Sequence, residues 1–453
     1  MVISEIETRA AEATAAWLAD FEAFQRESRE EPANVKALRR AAIERFAALG
    51  FPTLQQEEWR LTNVSPIARG TFHRPSAGTD AAFDPTALAP LTFDAAAQLV
   101  FVDGRFSQRL SSVDGLPDGV IAGSLAEALQ RVPDKVEPWL ARYADFEDHP
   151  FVALNTAFFA DGAFLWVPRG AVIERPIHLL FLSSSRAVGG RGATVSYPRN
   201  LLVAGEHSQV TVVETYTGTG EYLTCPVTEL IAGQASVVDH YKVQRESREA
   251  FHLATFQVQG ERDAAPSSHS ISLGGLLVRN DVNAVLDGEG IDCILNGLYL
   301  AEDRQLIDNH MKVVHAKAHC ASHELYKGIL DGKARAVFNG LIHVRHGAQK
   351  TDAKQSNRNL LLSRDAIANS NPQLEIFADD VKCTHGSTVG QLDDDAVFYL
   401  RSRGIGEEAA RSLLTYAFAS DIVERIKVEP LRRDLEEFLF ARLPQGEVVR
   451  QAV

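Results

Sequence analysis

Between residues 5 and 50, Ala, Leu and Phe recur three and four apart, the period of a helix with one apolar face, and Gly50 before Phe51-Pro52 is a stop signal. A break near Glu31-Pro32 divides the stretch into two predicted helices. From about Pro66 to Thr92 the chain is rich in Pro, Gly, Ser, Thr and Asp, and strands become legible only at 99–103 and 164–167. From about Arg175 to about Gly390 the pattern changes to short runs of Val, Ile, Leu and Thr bounded by Gly, Asp or Asn, and helical periodicity is largely missing. It returns after Gly390. Asp393, Asp394 and Asp395 cap a helix start that runs through Phe398, Tyr399 and Leu400 to Gly404. Gly406-Glu407-Glu408 opens a second helix with Ala410, Leu413, Leu414, Ala417, Phe418, Ile422 and Ile426 as its apolar stripe, and Pro430 starts a third that ends before Pro444. The expected organisation is a helical region over 1–65, a linker and mixed entry segment over 66–174, a strand-rich core over 175–390 and a helical unit over 391–453.

The strand-rich core echoes itself. Leu286-Asp287-Gly288 leads to Asn296-Gly297-Leu298, and Leu330-Asp331-Gly332 leads to Asn339-Gly340-Leu341, an offset of 44 residues. That length suits two coils of a solenoid with about twenty residues each. Stacked coils bury each other's apolar faces and need caps, which the helical ends would supply. The repeat therefore favours a β-solenoid, while short strands with turn signals also permit a sandwich or barrel.

Composition narrows the function classes. With 453 residues the chain is long enough for roughly three domains and a large core. Its 46 Lys and Arg against 60 Asp and Glu give a net charge of −14, an acidic balance that repels phosphate backbones and anionic lipid. Neither nucleic acid nor membrane is an expected partner. The first residues interleave acidic with apolar side chains and show no export signal, so the expected location is cytoplasmic.

Four cysteines, Cys225, Cys293, Cys320 and Cys383, are spaced too widely for a disulfide framework or a metal ribbon. His310, His315, His319 and His323 fall close together with Cys320, followed by His343 and His346, and imidazole with thiolate is what zinc, iron or copper would use. In a strand, positions four apart share a face, so His315, His319 and His323 read equally as a polar surface stripe. Cys383-Thr384-His385 is sharper, because residues two apart on a strand project to one side and bring a thiol and an imidazole to one patch. Two ligands leave a tetrahedral site incomplete, so a metal there needs ligands from a second chain or from solvent; otherwise Cys383 is a small buried hydrophobe and His385 a junction residue. Nucleotide chemistry is missing: Gly332-Lys333 is followed by Ala334, with no hydroxyl for Mg²⁺, and no G-x-S-x-G elbow occurs.

The block from Phe377-Ala378-Asp379-Asp380-Val381-Lys382-Cys383-Thr384-His385-Gly386 to Phe398-Tyr399-Leu400-Arg401-Ser402-Arg403-Gly404-Ile405 resembles the signature of the SufB/SufD family, in its SufD branch, the accessory subunit of the SUF iron–sulfur cluster assembly scaffold. Glu324-Leu325-Tyr326-Lys327-Gly328, Val337-Phe338-Asn339-Gly340, Gln349-Lys350-Thr351-Asp352-Ala353 and Glu57-Glu58-Trp59-Arg60 extend the resemblance over most of the chain. It implies a right-handed parallel β-helix between helical ends. It also implies a non-catalytic scaffold that pairs with SufB through the β-helix and binds the ATPase SufC through its C-terminal helices. Transient iron or a nascent cluster would be shared with SufB at His385 and Cys383, and a reduced flavin would belong to the complex. The SufC contact would include Tyr399, Arg401 and Arg403, and the chain alone would form a homodimer.

Overall fold

The computed structural model describes residues 2–27, 31–75, 80, 83–113, 115–184 and 192–452. Its centre is a β-solenoid built from two sheets of 12 and 11 strands, and from Val227–Ala232 onward each successive strand of the chain crosses from one sheet to the other. Neighbouring strands within a sheet are parallel and in register over most of their length: Val278 lies opposite Ile307, and Ile307 opposite Ala336, so each of these coils takes 29 residues. The coil is longer than the sequence echo suggested. The turn after Leu286 leaves the first sheet and the turn after Leu330 leaves the second, so the offset of 44 spans one and a half coils.

Side chains alternate between the inside of the coil and its outer faces. Along Asp352–Leu361, Ala353, Gln355, Asn357 and Asn359 are buried while Lys354 and Arg358 are exposed. Much of the inside is an apolar column, with Val278, Ile307 and Ala336 stacked in register and each at most 1% exposed. Fully burying a Val or Ile side chain contributes roughly 1.5–3 kcal/mol. Toward the C-terminal end the interior turns polar. Tyr299 Oη donates to Asn359 Oδ1 at 2.6 Å, Asn359 Nδ2 to Asn357 Oδ1 at 2.7 Å, and Gln355 Nε2 to Glu324 Oε2 at 2.6 Å. Glycine makes this packing possible: a Cβ on Gly328 would lie 2.1 Å from the Tyr299 ring.

The outer faces are covered by the chain ends. Helices Val2–Glu27 and Ala33–Leu49, broken where the sequence places the break, pack Trp17, Phe21, Phe24 and Phe46 with Phe151 and Phe158 against the first sheet at Leu253 and Leu277. Trp59 fastens the following segment, lying under the Arg279 guanidinium at 3.8 Å, while Arg279 donates to the Glu58 carbonyl and to Asp281 and Asp308. On the second sheet, Ala419, Ile422, Val423, Leu431, Leu435 and Leu439 of the C-terminal helices, with Ile426 in the turn between two of them, meet Val243, Ile271, Leu298 and Ile329. The buried stripe of Glu407–Val423 is rotated from the predicted one: Ser412, Thr415 and Ala419 are buried, Leu413 and Leu414 are half-buried and Ala417 is exposed.

The two ends of the solenoid differ. At the N-terminal end the ladders finish in antiparallel pairs, Ala97–Val102 with Arg105–Phe106 and with Ser112–Val113, and Ala163–Val167 with Ile121–Ser124. At the C-terminal end the last strands, Ile367–Ile376 and Lys382–Gly390, each pair on one edge alone. The helices that follow turn back along the second sheet, and Ile376, Phe377 and Val389 remain exposed.

Candidate functional site

Cys383 and His385 lie on the last strand of the second sheet, opposite Ala353 and Gln355 of the strand before. Because Ala353 and Gln355 are buried inside the coil, Cys383 and His385 share the inward-facing side, about 7 Å apart along the strand. They are the final layer of the interior with no further coil above them. Cys383 is half-buried and packs beside Val344, Ala353 and Ala378, while His385 is exposed.

Burial pushes the Cys383 thiol above its ordinary value and the nearby Asp352 charge adds to the shift, against a lowering hydrogen bond with the Ala353 backbone. The thiol form therefore prevails at neutral pH, and a metal or a positive group must displace its proton before the sulfur becomes a ligand. The other three cysteines, Cys225, Cys293 and Cys320, are buried, and burial raises each of their thiols. Cys383 is the one cysteine within reach of an incoming chain or ion.

The histidine cluster of the sequence does not form a metal centre. His315 ends one strand, His319 sits in the turn at φ +61° and His323 lies on the next strand, so the three do not share a strand face. His315 is buried with its Nε2 2.9 Å from Ser322 Oγ, and desolvation pulls its pKa down to about 4. His310 is on the outer face, 3.0 Å from Asp308. Among the described residues no group of three or more His, Cys, Asp and Glu is arranged to hold a metal ion.

Tyr399, Arg401 and Arg403 come together on the helix Asp394–Ser402 and its C-cap. Asp393 caps the helix by accepting from the Asp395 backbone N–H at 2.9 Å. Val397 is its one buried residue, and Phe398 and Tyr399 stand 70% and 56% exposed. Arg403 lies over the Tyr399 ring at 5.0 Å and donates to its hydroxyl at 3.0 Å, and Arg401 pairs with Glu407 at 3.3 Å. Two bare aromatic rings on a short helix, rimmed by arginine, match the composition of the central part of a protein–protein contact.

Sequence reasoning named the thiol and the imidazole but missed what lies beneath them. Glu324 and Gln355 occupy the same interior ladder as His385. The signal that finds them is the coil length, since residues one coil apart stack. No helix among the described residues is long and apolar enough to cross a membrane.

Residues 186–418 match the SufBD core domain of the SUF system for iron–sulfur cluster assembly, and residues 15–179 match the SufBD protein N-terminal region. The iron–sulfur cluster assembly protein SufD of Escherichia coli is 32% identical over 407 residues, covering 89% of this chain and 92% of that protein. A SufBD family iron–sulfur cluster assembly protein of Synechocystis is also 32% identical, over 89% of this chain and 90% of its own, and SufD of Bacillus subtilis is 27% identical over 90% and 94%. A solenoid closed at one end and open at the other, with matches along both its core and its N-terminal region, establishes that the chain belongs to the SufBD family of iron–sulfur cluster assembly proteins.

Proposed function

We propose that this chain is a non-catalytic scaffold subunit of the SUF system, whose open last coil docks on a paralogous SufB coil and builds a nascent cluster in the seam. The observation that carries this reading is the uncapped end itself. Exposed edges in two sheets at once, next to exposed Ile376, Phe377 and Val389, are a liability for a lone chain and a template for strand addition by a partner of like fold. Cys383 and His385 sit in that layer with two ligands in hand, and a partner's side chains would complete a four-coordinate iron. Iron is cargo here rather than a resident cofactor, and any reduced flavin would act in the complex. The same end explains self-pairing when the partner is absent, as a homodimer with twofold symmetry.

The helix carrying Phe398, Tyr399, Arg401 and Arg403 is the site assigned to the ATPase SufC, which brings the nucleotide chemistry that this chain's motifs lack. A cytoplasmic setting, where free thiols stay reduced, suits the half-buried Cys383. The test is co-expression with SufB and SufC and anaerobic purification through a tag on this chain. His385→Ala is expected to leave all three subunits together while iron and sulfide fall at least tenfold. Tyr399→Ala with Phe398→Ala is expected to release SufC and keep SufB. Unchanged iron in the His385 variant would remove His385 from the assembly site, and SufC retained by the double variant would move its docking surface elsewhere.

A further inference from the structure

A histidine that ligates metal through one ring nitrogen is held in orientation and tautomer by an acceptor on the other. The open coil contains an acceptor of that kind. Glu324, Gln355 and His385 stack in register on three successive strands of the second sheet, on the inward face. Gln355 is 3% exposed, and its amide nitrogen donates to Glu324 Oε2 at 2.6 Å. This bond turns the nitrogen end of the amide toward the deeper strand. The other end, Gln355 Oε1, is buried without a hydrogen-bond partner among the described residues. An orphaned buried carbonyl forfeits the hydrogen bonds it would have in water, so its persistence calls for a partner supplied in the working state.

The surroundings restrict where that partner can come from. On the facing sheet, a Cβ on Gly340 would lie 2.4 Å from Gln355 Nε2 and 2.6 Å from Oε1, so the amide lies against bare glycine backbone. Toward the deeper coil stands Glu324, already bonded to the nitrogen. On the remaining flank of the ladder the next residue in register is His385. An imidazole N–H is the donor that this oxygen lacks.

We propose that Gln355 is a positioning residue for His385: its Oε1 accepts the N–H of one ring nitrogen, selects a single neutral tautomer and leaves the other nitrogen directed at the open end of the coil, where iron is taken. The proposal rests on the assembly role given to His385 above. No proton is transferred in it, because the neutral imidazole donates one hydrogen bond to the amide and one lone pair to the metal. Gly340 and Glu324 serve it indirectly, the first by leaving room for the amide and the second by fixing which way it points.

The test uses the full chain labelled with ¹⁵N in the histidine rings, with the His385 signals assigned by their loss in His385→Ala, and in parallel the iron content of the co-purified SufB and SufC complex. In the unaltered chain His385 is expected to show one tautomer, with its two ring nitrogens at well-separated shifts. Gln355→Met, of similar size but without the carbonyl, is expected to bring the two shifts together and to lower iron about 10–100-fold, the usual cost of losing such an orienting partner. Gln355→Glu keeps an oxygen acceptor and is expected to restore both readouts. Should Gln355→Met fail to fold, Gln355→Asn withdraws the carbonyl by one methylene and is read in the same way. Ring shifts unmoved in Gln355→Met or Gln355→Asn would overturn the proposal. If instead those shifts move while His385→Ala leaves iron unchanged, the positioning of the ring stands and the assembly role of His385 fails.

Discussion

Glu229→Gln is expected to cost about 3–5 kcal/mol of folding stability, the range for leaving one member of a buried ion pair uncompensated. Glu229 and Arg199 are 0% and 1% exposed and meet at 2.6 Å. The carboxylate does more than balance the guanidinium. Its Oε2 accepts from Arg199 Nη2 and from the Ala141 N–H at 2.9 Å, and its Oε1 accepts from the N–H groups of Tyr143 and Ala144, both at 3.0 Å. Four donors thus converge on two oxygens. A glutamine of the same shape must turn its own NH₂ toward one pair of them, whichever way the amide is set. Arg199 then keeps its bonds to Asn155 and Thr156 but loses its counter-charge.

The consequence extends beyond one strand, because this pair ties the first sheet to the helix Pro150–Phe158 and to residues 141–144. Urea unfolding of the isolated chain checks it. A midpoint lowered with the slope unchanged would locate the loss in the folded state, and a lowered slope would mean that the N-terminal region has come away from the solenoid beforehand. A loss under about 1 kcal/mol would show that the pair is replaceable by a neutral hydrogen bond.

Glu229 illustrates why part of this architecture was hidden in the sequence. The helical ends were legible because each has one covered face, so their apolar period survives. The middle strands of the solenoid are covered on both sides: every position of Phe251–Gly260 is buried, and a strand buried on two faces has no alternation to read. Polar residues inside the coil, such as Gln355, Asn357 and Asn359, look like surface residues when met in sequence. The coil length was obscured for a related reason. Turns leaving the two sheets use similar Asp-Gly pairs, so the echo between residues 286 and 330 joined unlike corners. The Cys383 and His385 pair was legible because it needs only the two-residue strand period. Gln355, thirty residues before His385, requires the register itself.

The same exchange at Glu324 is expected to have the opposite sign, with Glu324→Gln stabilising the fold by about 3 kcal/mol at pH 7. Burial pushes the Glu324 carboxyl up to about 8 from an ordinary 4.5, with the Gln355 amide the one group opposing the shift. The folded chain therefore keeps a proton that the unfolded chain releases above pH 4.5. Stability falls as the pH rises from 4.5 and levels off beyond about 8; below 4.5 both states hold the proton and nothing is lost. Glutamine never ionises, so the variant lacks this contribution, and the gap between variant and unaltered chain should be near zero at pH 4, large at pH 7 and greatest above pH 8. Urea midpoints across that range measure it. Equal stabilities at pH 8 would mean that Glu324 is ionised in the folded chain and compensated there. Two buried glutamates thus respond in opposite directions to one chemical edit, because four donors converge on the first and a single amide N–H reaches the second.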